Sequence, residues 1–311
     1  MRSELVFFGM CDASAAVPLD RTSFIVADDE DNVLRAYDVT RPGPPLWSVD
    51  VSSDIGVTAK PARQGKPAKA PPEADIEAAT RLGELAFWMT SHGRNSKAKL
   101  KPERLKLFVT TLPRPGALPE LQVVGKAYEG LLDDLLAHPP LAPFRLREAA
   151  ELAPKAPGGL NIEGMTARRE GGVWIGFRNP IPGGKALVIP LLNPEQLSQG
   201  SRASLGEPRL LELGGLGVRA LSLHEERYLI LAGAFESTAG AQLYEWDGHG
   251  QPRSVPTAEL DGLTPEGFFT PPGSDELLVL SDDGSAMIDG RACKDLPDVT
   301  HKRFRARWLK L

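Results

Sequence analysis

The sequence predicts an all-β fold, a closed β-propeller of five blades, from three observations. A charged residue followed by a small one recurs five times, short β-like runs follow each copy, and polar turns separate those runs. Closed all-β folds often exceed the usual domain length as one unit, so residues 1–311 are expected to form a single domain. The uneven spacing of the copies leaves six blades as the alternative.

The recurring pattern marks the innermost strand of each predicted blade. Its charged positions are Asp12, Glu77, Glu163, Arg219 and Glu266, and its next positions are Ala13, Ala78, Gly164, Ala220 and Gly267. Innermost strands converge at the channel, where a large side chain would collide with the neighbouring strand. A generic β-sandwich would show alternation without such a five-fold column, so the column favours a propeller.

Further β-like runs follow each copy of the pattern. Second strands are predicted at 24–27, 86–89, 173–176, 228–231 and 277–280, third strands at 33–37, 105–109, 186–189 and 242–246, and weaker fourth strands at 46–49 and 210–213. The terminal runs 5–8 and 304–309 have no blade of their own. We expect them to share the fifth blade, which would remove the exposed sheet edges that invite aggregation.

Two insertions interrupt the blades. Residues 57–74 are rich in Pro, Lys, Arg and Ala without an apolar run, and are predicted to form a mobile loop. Over 126–139, apolar residues at helical spacing end at a Pro-Pro pair, which predicts one amphipathic helix that packs on the second blade, with a partner-binding helix as the alternative.

Composition excludes several classes of protein. The net charge of −5 argues against nucleic-acid binding, which needs a basic face, and no run approaches the ~20 apolar residues of a membrane-spanning helix. The N-terminal apolar stretch is too short for a signal peptide, so the cytoplasm is the expected compartment. Cys11 and Cys293 are predicted to be reduced and buried, with a disulfide that closes the ring as the alternative.

Acidic residues are expected to meet at one mouth of the channel. The loop entering each inner strand and the turn after each second strand lie on the same face, because the two strands are antiparallel. Clustered carboxylates repel, and a cation, a shared proton or interleaved positive side chains would each relieve the repulsion. The first remedy predicts a Ca²⁺ or Mg²⁺ site with the ligands Asp12, Asp75, Glu77, Glu163 and Glu266. The third, given Arg219 in the column, predicts a structural salt-bridge ring.

Two neighbouring turns carry the groups that would bind and process a ligand. His92 and Glu163 are the candidate residues for proton transfer. The candidate binding residues for an anionic group are Arg94, Asn95, Arg178, Asn179 and Arg219. A solvated turn is the alternative for residues 91–95, because a single histidine is often structural.

Several segments resemble a known family. Residues 8–15, 75–77, 91–95, 161–164, 176–180 and 216–219 together are similar to the bacterial domain-of-unknown-function family 3616 over almost the whole chain. This resemblance implies a propeller and no established activity. The Ile-Glu-Gly and Pro-Glu-Gly motifs at 162–164 and 265–267 are also similar, locally, to esterase-like phytase propellers, in which acidic residues hold calcium and the substrate is a phosphoester. Arg219 departs from that second pattern.

The sequence therefore supports two functions. One is metal-assisted hydrolysis of a small anionic ester, such as a phosphoester, in which the ring carboxylates hold the cation. The other is non-catalytic binding of a ligand or a partner protein at the same mouth, around a structural salt-bridge ring. Propellers host both kinds of function, so the fold leaves catalysis and any protein partner open.

Overall fold

The computed structural model describes residues 4–59, 69–113, 121–236, 240–256 and 260–311. The strands up to the end of the second blade are β1 (Leu5–Phe8), β2 (Ala13–Pro18), β3 (Ser23–Asp28), β4 (Val33–Asp38), β5 (Trp47–Asp50), β6 (Ile76–Leu82), β7 (Leu85–Thr90) and β8 (Leu107–Thr111). The third and fourth blades contain β9 (Asn161–Ala167), β10 (Val173–Asn179), β11 (Ala186–Leu191), β12 (Arg209–Leu211), β13 (Gly217–His224), β14 (Arg227–Gly233), β15 (Gln242–Trp246) and β16 (Arg253–Val255). The remaining strands are β17 (Pro265–Phe269), β18 (Glu276–Ser281), β19 (Met287–Ile288), β20 (Arg291–Ala292) and β21 (Arg303–Lys310).

Helices are short throughout the described chain. The α-helices are α1 (Leu131–Ala137), α2 (Leu146–Ala149) and α3 (Pro194–Leu197), and the 3₁₀ turns are Pro102–Arg104, Pro139–Phe144, Pro182–Gly184, Cys293–Asp295 and Val299–His301. None of these described helices has the length and apolar character needed to cross a membrane.

Five antiparallel sheets form the five predicted blades. Their strand orders are β2-β3-β4-β5, β6-β7-β8, β9-β10-β11-β12, β13-β14-β15-β16 and β17-β18-β21-β1. The first strand of each sheet lies beside the first strand of the next, and β17 returns to β2, so the inner strands form a closed ring. The five-bladed propeller is therefore confirmed.

Both chain termini contribute to the fifth blade, as predicted. β1 pairs with β21 from Leu5 opposite Ala306 to Phe8 opposite Arg303, and β21 pairs in turn with β18. The outermost strand thus comes from the N-terminus and its neighbour from the C-terminus. This arrangement joins the two ends of the described chain in one sheet and leaves neither terminal strand unpaired.

The hydrophobic core consists of layers between neighbouring blades. Every residue of β10 is buried, because a central blade strand is covered by the adjacent blade on each face. One apolar cluster joins the second and third blades and includes Leu131 and Leu135 of α1. Another joins the fifth and first blades through Phe7, Phe24 and Phe304. The blades therefore hold one another by burial of apolar surface.

The helical insertion begins later than predicted. Residues 121–128 run along the outer edge of the second blade, where the N–H groups of Leu107 and Tyr128 donate to each other's carbonyl oxygen, and α1 begins only at Leu131. Tyr128, which the sequence pattern assigned to a helix, instead forms backbone hydrogen bonds with the edge strand β8. Of the predicted loop over 57–74, residues 60–68 lie outside the described part of the chain, and its mobility stays a prediction.

The prediction of two reduced thiols is wrong. Cys11 and Cys293 form a disulfide with their Cα atoms 6.0 Å apart, and neither residue is exposed to solvent to any extent. The ring brings the loop before β2 next to the segment after β20, although 282 residues separate them along the chain. The two cysteines are far apart in sequence but adjacent in the closed ring, so the alternative prediction of a closing disulfide is the correct one.

Candidate functional site at the channel mouth

A cavity of about 500 Å³ opens at one end of the channel; we call it the mouth cavity. Nine Asp and Glu residues and five Lys and Arg residues line it. Below it the channel narrows to a space of about 10 Å³ between the inner strands, room for about one water molecule. The mouth cavity is therefore a pocket with an almost closed floor, and a ligand would enter from one side.

β-Bulges place the charged side chains at this floor. The pairing of each inner strand skips one residue, which is Glu77 in the second blade, Glu163 in the third, Arg219 in the fourth and Glu266 in the fifth. A bulge leaves the extra residue unpaired and redirects its side chain. The recurring charge in the sequence is thus the bulged residue of each of these four strands.

In the first blade the bulged residue is Ser14, which corrects the sequence alignment by two positions. Ser14 is skipped between Ala13 and Ala15, and its hydroxyl donates to the carbonyl oxygen of Ile76 at 2.6 Å. Asp12 lies before β2 and forms an isolated bridge with Asp282. Residues 13–16 are all small, as the crowded inner strand requires. The charge of Asp12 therefore does not mark the bulged position in this blade.

Three glutamates from three blades converge at the floor, and we call Glu77, Glu163 and Glu266 the glutamate cluster. One carboxylate oxygen of each lies within 4.8 Å of the others. The three residues are 8%, 2% and 8% exposed. Glu77 and Glu163 line both the mouth cavity and the small space below it.

Two arginines lie beside the cluster. Arg178 Nη1 is 2.6 Å from Glu163 Oε1 and 3.6 Å from Glu266 Oε1, and Arg219 Nη1 is 3.3 Å from Glu266 Oε1. Arg219 is almost wholly buried and does not line the mouth cavity, whereas Arg178 does. The ion pairs therefore occupy one oxygen each of two glutamates.

Burial makes ionisation of Glu77 and Glu266 unfavourable. Burial, followed by the charges of Glu163 and Asp75, raises the pKa of Glu77 well above its usual range. Burial and the charge of Glu163 also raise the pKa of Glu266 to about 8, against the opposing effect of Arg219. The floor thus favours a bound positive charge, either a proton or a cation.

The other acidic residues predicted as ligands, Asp12 and Asp75, lie outside the glutamate cluster. Burial raises the pKa of Asp75 to about 6, although Arg104 lies 2.8 Å from its carboxylate. Burial and a hydrogen bond with Asp282 raise the pKa of Asp12 to about 10, so that carboxyl shares a proton with its neighbour. Asp75 and Asp12 line the mouth cavity outside the glutamate cluster, but carboxylate oxygens of Asp75, Asp29 and Glu77, and those of Asp12, Asp29 and Glu30, also lie within 4.8 Å of one another.

His92 faces the protein interior. Its ring is 2% exposed, its Nδ1 lies 2.8 Å from the carbonyl oxygen of Thr90, and it is not among the residues that line the mouth cavity. Burial lowers the pKa of His92 to about 4, which the Thr90 hydrogen bond only partly offsets, so the ring is neutral near pH 7. In this position the imidazole has no direct path to a ligand in the mouth cavity.

Arg94 and Asn179 hold one wall of the mouth. Arg94 Nε donates to the carbonyl oxygen of Ala150 at 2.7 Å, and its guanidinium pairs with Glu151. Asn179 Nδ2 donates to the carbonyl oxygens of Pro154 and Ala156 at 2.8 and 2.7 Å. We call residues 150–156 the wall segment, since its residues 153–155 line the mouth cavity while the two side chains that fix it do not.

Asn95 lines the mouth cavity with its amide oxygen engaged in the turn. That oxygen accepts from the N–H groups of Lys97 and Lys99 at 3.0 and 2.9 Å. Of the predicted anion-binding residues, the structure therefore brings Asn95 and Arg178 into the cavity and places Arg94, Asn179 and Arg219 behind it.

Eight charged residues of the mouth were not among the predicted site residues: Asp29, Glu30, Glu73, Lys101, Arg104, Lys155, Asp282 and Lys294. Lys294 directly follows Cys293. A predicted Cys11–Cys293 disulfide would therefore have placed Lys294 near Asp12 at the mouth. Asp29 stands in the turn after β3, where the sequence analysis expected mouth residues. In the sequence, nothing near Lys101, Arg104 or Lys155 distinguishes these residues from charged residues on the solvent-exposed surface.

The fold and this pocket define the class of the protein, a five-bladed β-propeller with a charged, closed-ended mouth. A family model described as "Protein of unknown function (DUF3616)" matches residues 120–264 and supports the resemblance drawn from the motifs over that part of the chain. No curated protein matches the sequence.

Solved structures show similarity of fold. Myxococcus xanthus glutaminyl cyclase is 11% identical with a TM-score of 0.51, over 100% of this chain and 96% of that one. The β-propeller domain of Myceliophteria thermophila Cps50 (Swd1) is 10% identical with a TM-score of 0.38, over 98% of this chain and 99% of that one. At such identities the similarity concerns the fold and carries no information about activity.

Proposed function

We propose that the mouth cavity binds a small anionic ligand. The observation that carries this proposal is the convergence of basic side chains from separate parts of the ring on one closed-ended pocket: Lys101, Arg104, Lys155, Arg178 and Lys294. Small-molecule sites are typically concave and have volumes of roughly 300–1,000 Å³, with a few charged groups that fix the ligand. The mouth cavity, at about 500 Å³, is of that size.

Lys155 is the basic residue best suited to contact the ligand. It extends from the wall segment, it is exposed, and it has no ion pair with another residue of the described ranges. Lys101, Arg104 and Lys294 pair with Glu103, Asp75 and Glu30. An incoming anion therefore meets Lys155 without first displacing a carboxylate.

The acidic floor sets a condition on anion binding. Carboxylates outnumber cationic groups around the mouth cavity, so a bare anion would be repelled unless a proton or a cation neutralised the floor. We expect the affinity for the ligand to depend on divalent cations.

Hydrolysis is the chemistry that such a site would support. A cation at the floor would polarise a phosphoryl or carbonyl oxygen and activate a water molecule. Glu163 lines the cavity and is the candidate to move a proton, because its Oε2 atom has no hydrogen bond within the described part of the chain. The predicted role of His92 would require its ring to leave the interior.

Non-catalytic binding is the second candidate function. The ion pairs of Arg178 with Glu163 and of Arg219 with Glu266 favour it, since they stabilise the ring without any reaction. Sustained turnover of p-nitrophenyl phosphate or p-nitrophenyl acetate, lost in Glu163→Gln, would select hydrolysis. Binding of a phosphate probe without turnover would select the second candidate.

Calorimetric titration with phenyl phosphate, in the presence of Ca²⁺ or Mg²⁺, tests the anion site. Lys155→Ala should weaken binding about tenfold, because a charge-assisted hydrogen bond is worth about 1.5–3 kcal/mol. Lys97→Ala is the matched control, as Lys97 is exposed on the nearby turn and does not line the cavity. Equal affinities for the two variants, or no binding by the wild type, would contradict the proposal.

A further inference from the structure

We propose that the glutamate cluster is a binding site for one divalent, oxygen-preferring cation such as Ca²⁺ or Mg²⁺. The cluster brings one carboxylate from each of three blades to a common point, with the ligand oxygens within 4.8 Å of one another. Both ions prefer oxygen ligands, and carboxylates are the usual protein donors. The bulges at Glu77, Glu163 and Glu266 are the local devices that direct the three side chains there.

Unsatisfied oxygens provide a second, independent observation. Within the described ranges, Glu77 Oε2 and Glu163 Oε2 are buried and accept no hydrogen bond. Both side chains are more than nine-tenths buried and line the floor of the mouth cavity. A buried carboxylate oxygen without a partner is costly, so native proteins rarely retain one unless a ligand or solvent completes it.

Asn161 offers a further oxygen at the same place. Its Nδ2 donates to Glu163 Oε1 at 2.7 Å, while its Oδ1 is buried without a hydrogen bond in the part of the chain that the structure describes. Asn161 also lines the mouth cavity. An amide oxygen beside three carboxylates is a common addition to a Ca²⁺ ligand set.

The local charge balance favours a dication and links it to the anion site. When fully ionised, the three carboxylates and the two guanidinium groups of Arg178 and Arg219 together carry one negative charge. A divalent cation would turn this into one positive charge. The floor would then attract the anionic group that the bare cluster repels. The cation site itself does not require that any anionic ligand binds.

Thermal unfolding and calorimetry of chelator-treated protein, with CaCl₂ or MgCl₂ as the only added ligand, test this inference. We expect a rise in Tm with cation concentration, because a ligand that binds the folded state alone stabilises it. We also expect about one bound ion per chain. Neither heat of binding nor a Tm shift with either ion at millimolar concentration would overturn the inference.

Glu77→Gln is the most informative variant. Glu77 forms no hydrogen bond or ion pair with another described residue, so its replacement breaks neither kind of interaction and should leave the cation-free Tm unchanged or higher. Its affinity for the cation should fall at least tenfold. Glu73→Gln is the control, since Glu73 lines the same cavity outside the cluster and pairs with Arg104.

The outcomes separate this inference from the proposed function. If the cation binds and phenyl phosphate does not, the cation site stands and the anion proposal fails. If phenyl phosphate binds equally well with and without chelator, anion binding does not depend on the cation. The calorimetric titration with CaCl₂ or MgCl₂ then decides whether the cation site exists. Equal loss of cation affinity in Glu77→Gln and Glu73→Gln would place the ion elsewhere and overturn the assignment.

Discussion

Asp12 and Glu77 are both buried carboxyl groups at the mouth, yet their surroundings differ. Asp12 shares a proton with Asp282, whose pKa is lowered by the hydrogen bonds from Asp12 and from the Gly284 N–H, against the effect of burial. Glu163 has an arginine partner at hydrogen-bond distance. Among the described residues, Glu77 has neither kind of partner. Glu77 is thus the residue at which we propose that a cation relieves the carboxylate repulsion.

His92 makes stability depend on pH. Its pKa is about 4 in the folded protein against about 6.5 in the unfolded chain, so the unfolded state binds the proton more tightly. The contribution is fully present above about pH 6.5 and is lost as pH falls towards 4. Between neutral pH and about pH 5, the free energy of unfolding should decrease by about 2 kcal/mol more in the wild type than in His92→Gln. Urea unfolding at the two pH values measures this difference, and parallel pH profiles would contradict it.

The β-bulges of the inner strands are the structural elements that create the candidate site at the mouth. A regular inner strand would alternate its side chains between the two neighbouring blades, and no three of them would meet on the axis. At the bulges of β6, β9 and β17 an extra residue breaks the alternation, and its glutamate side chain is directed to the channel mouth. The wall segment is a second such element, because Arg94 and Asn179 fix it through its backbone carbonyls.

Gly164 tests the steric rule that small residues follow the bulges. A Cβ atom at Gly164 would lie 2.6 Å from Val218 Cγ1 of the next inner strand. Gly164→Ala should therefore destabilise the protein by about 1–3 kcal/mol through overpacking. Gly250→Ala is the control, because its Cβ would have no neighbour closer than 3.7 Å.

A double-mutant cycle identifies the contact responsible. Gly164→Ala combined with Val218→Ala should be less destabilised than the sum of the two single variants, because the shorter side chain relieves the clash. Equal stabilities of Gly164→Ala and Gly250→Ala in urea would refute the steric explanation.

At the scale of the whole molecule, the ring is closed twice. β1 and β21 join the chain termini in the fifth blade, and the Cys11–Cys293 disulfide joins the first blade to the fifth near the mouth. Each cysteine directly precedes a residue that lines the mouth cavity, Asp12 or Lys294. The disulfide therefore supports the part of the mouth between these blades as well as the ring.

Removal of this disulfide should lower stability without opening the fold. Cys11→Ser combined with Cys293→Ser should cost about 2–5 kcal/mol, the usual range for loss of a native disulfide, while strand pairing still closes the ring. Urea unfolding of the variant and of the oxidised and reduced wild type measures the cost. Two free thiols per chain in denatured, unreduced protein would contradict the bond itself.

Much of the fold could be predicted because it follows from sequence patterns that span only a few residues. Alternating apolar runs, polar turns and a small residue after each inner-strand charge repeat along the chain, and they predicted five blades and a fifth blade shared by both termini. The start of α1 was missed, because residues 121–128 find backbone partners on β8 that no local pattern reveals. The disulfide was predicted only as the alternative, since ring closure and not a local pattern brings its cysteines together.

For the candidate site, the sequence alone determined the types of residue that gather at the mouth, and the tertiary structure decided which of them meet. Glu77, Glu163 and Glu266 were identified by their place in the repeat, but the bulges bring them together at the floor, and in the first blade the bulged residue is Ser14. Arg94 and Asn179, which looked like ligand-binding residues, support the wall segment from behind. A bulge or a support of this kind depends on the register between strands that are distant in sequence, so a pattern read along a single chain cannot specify it.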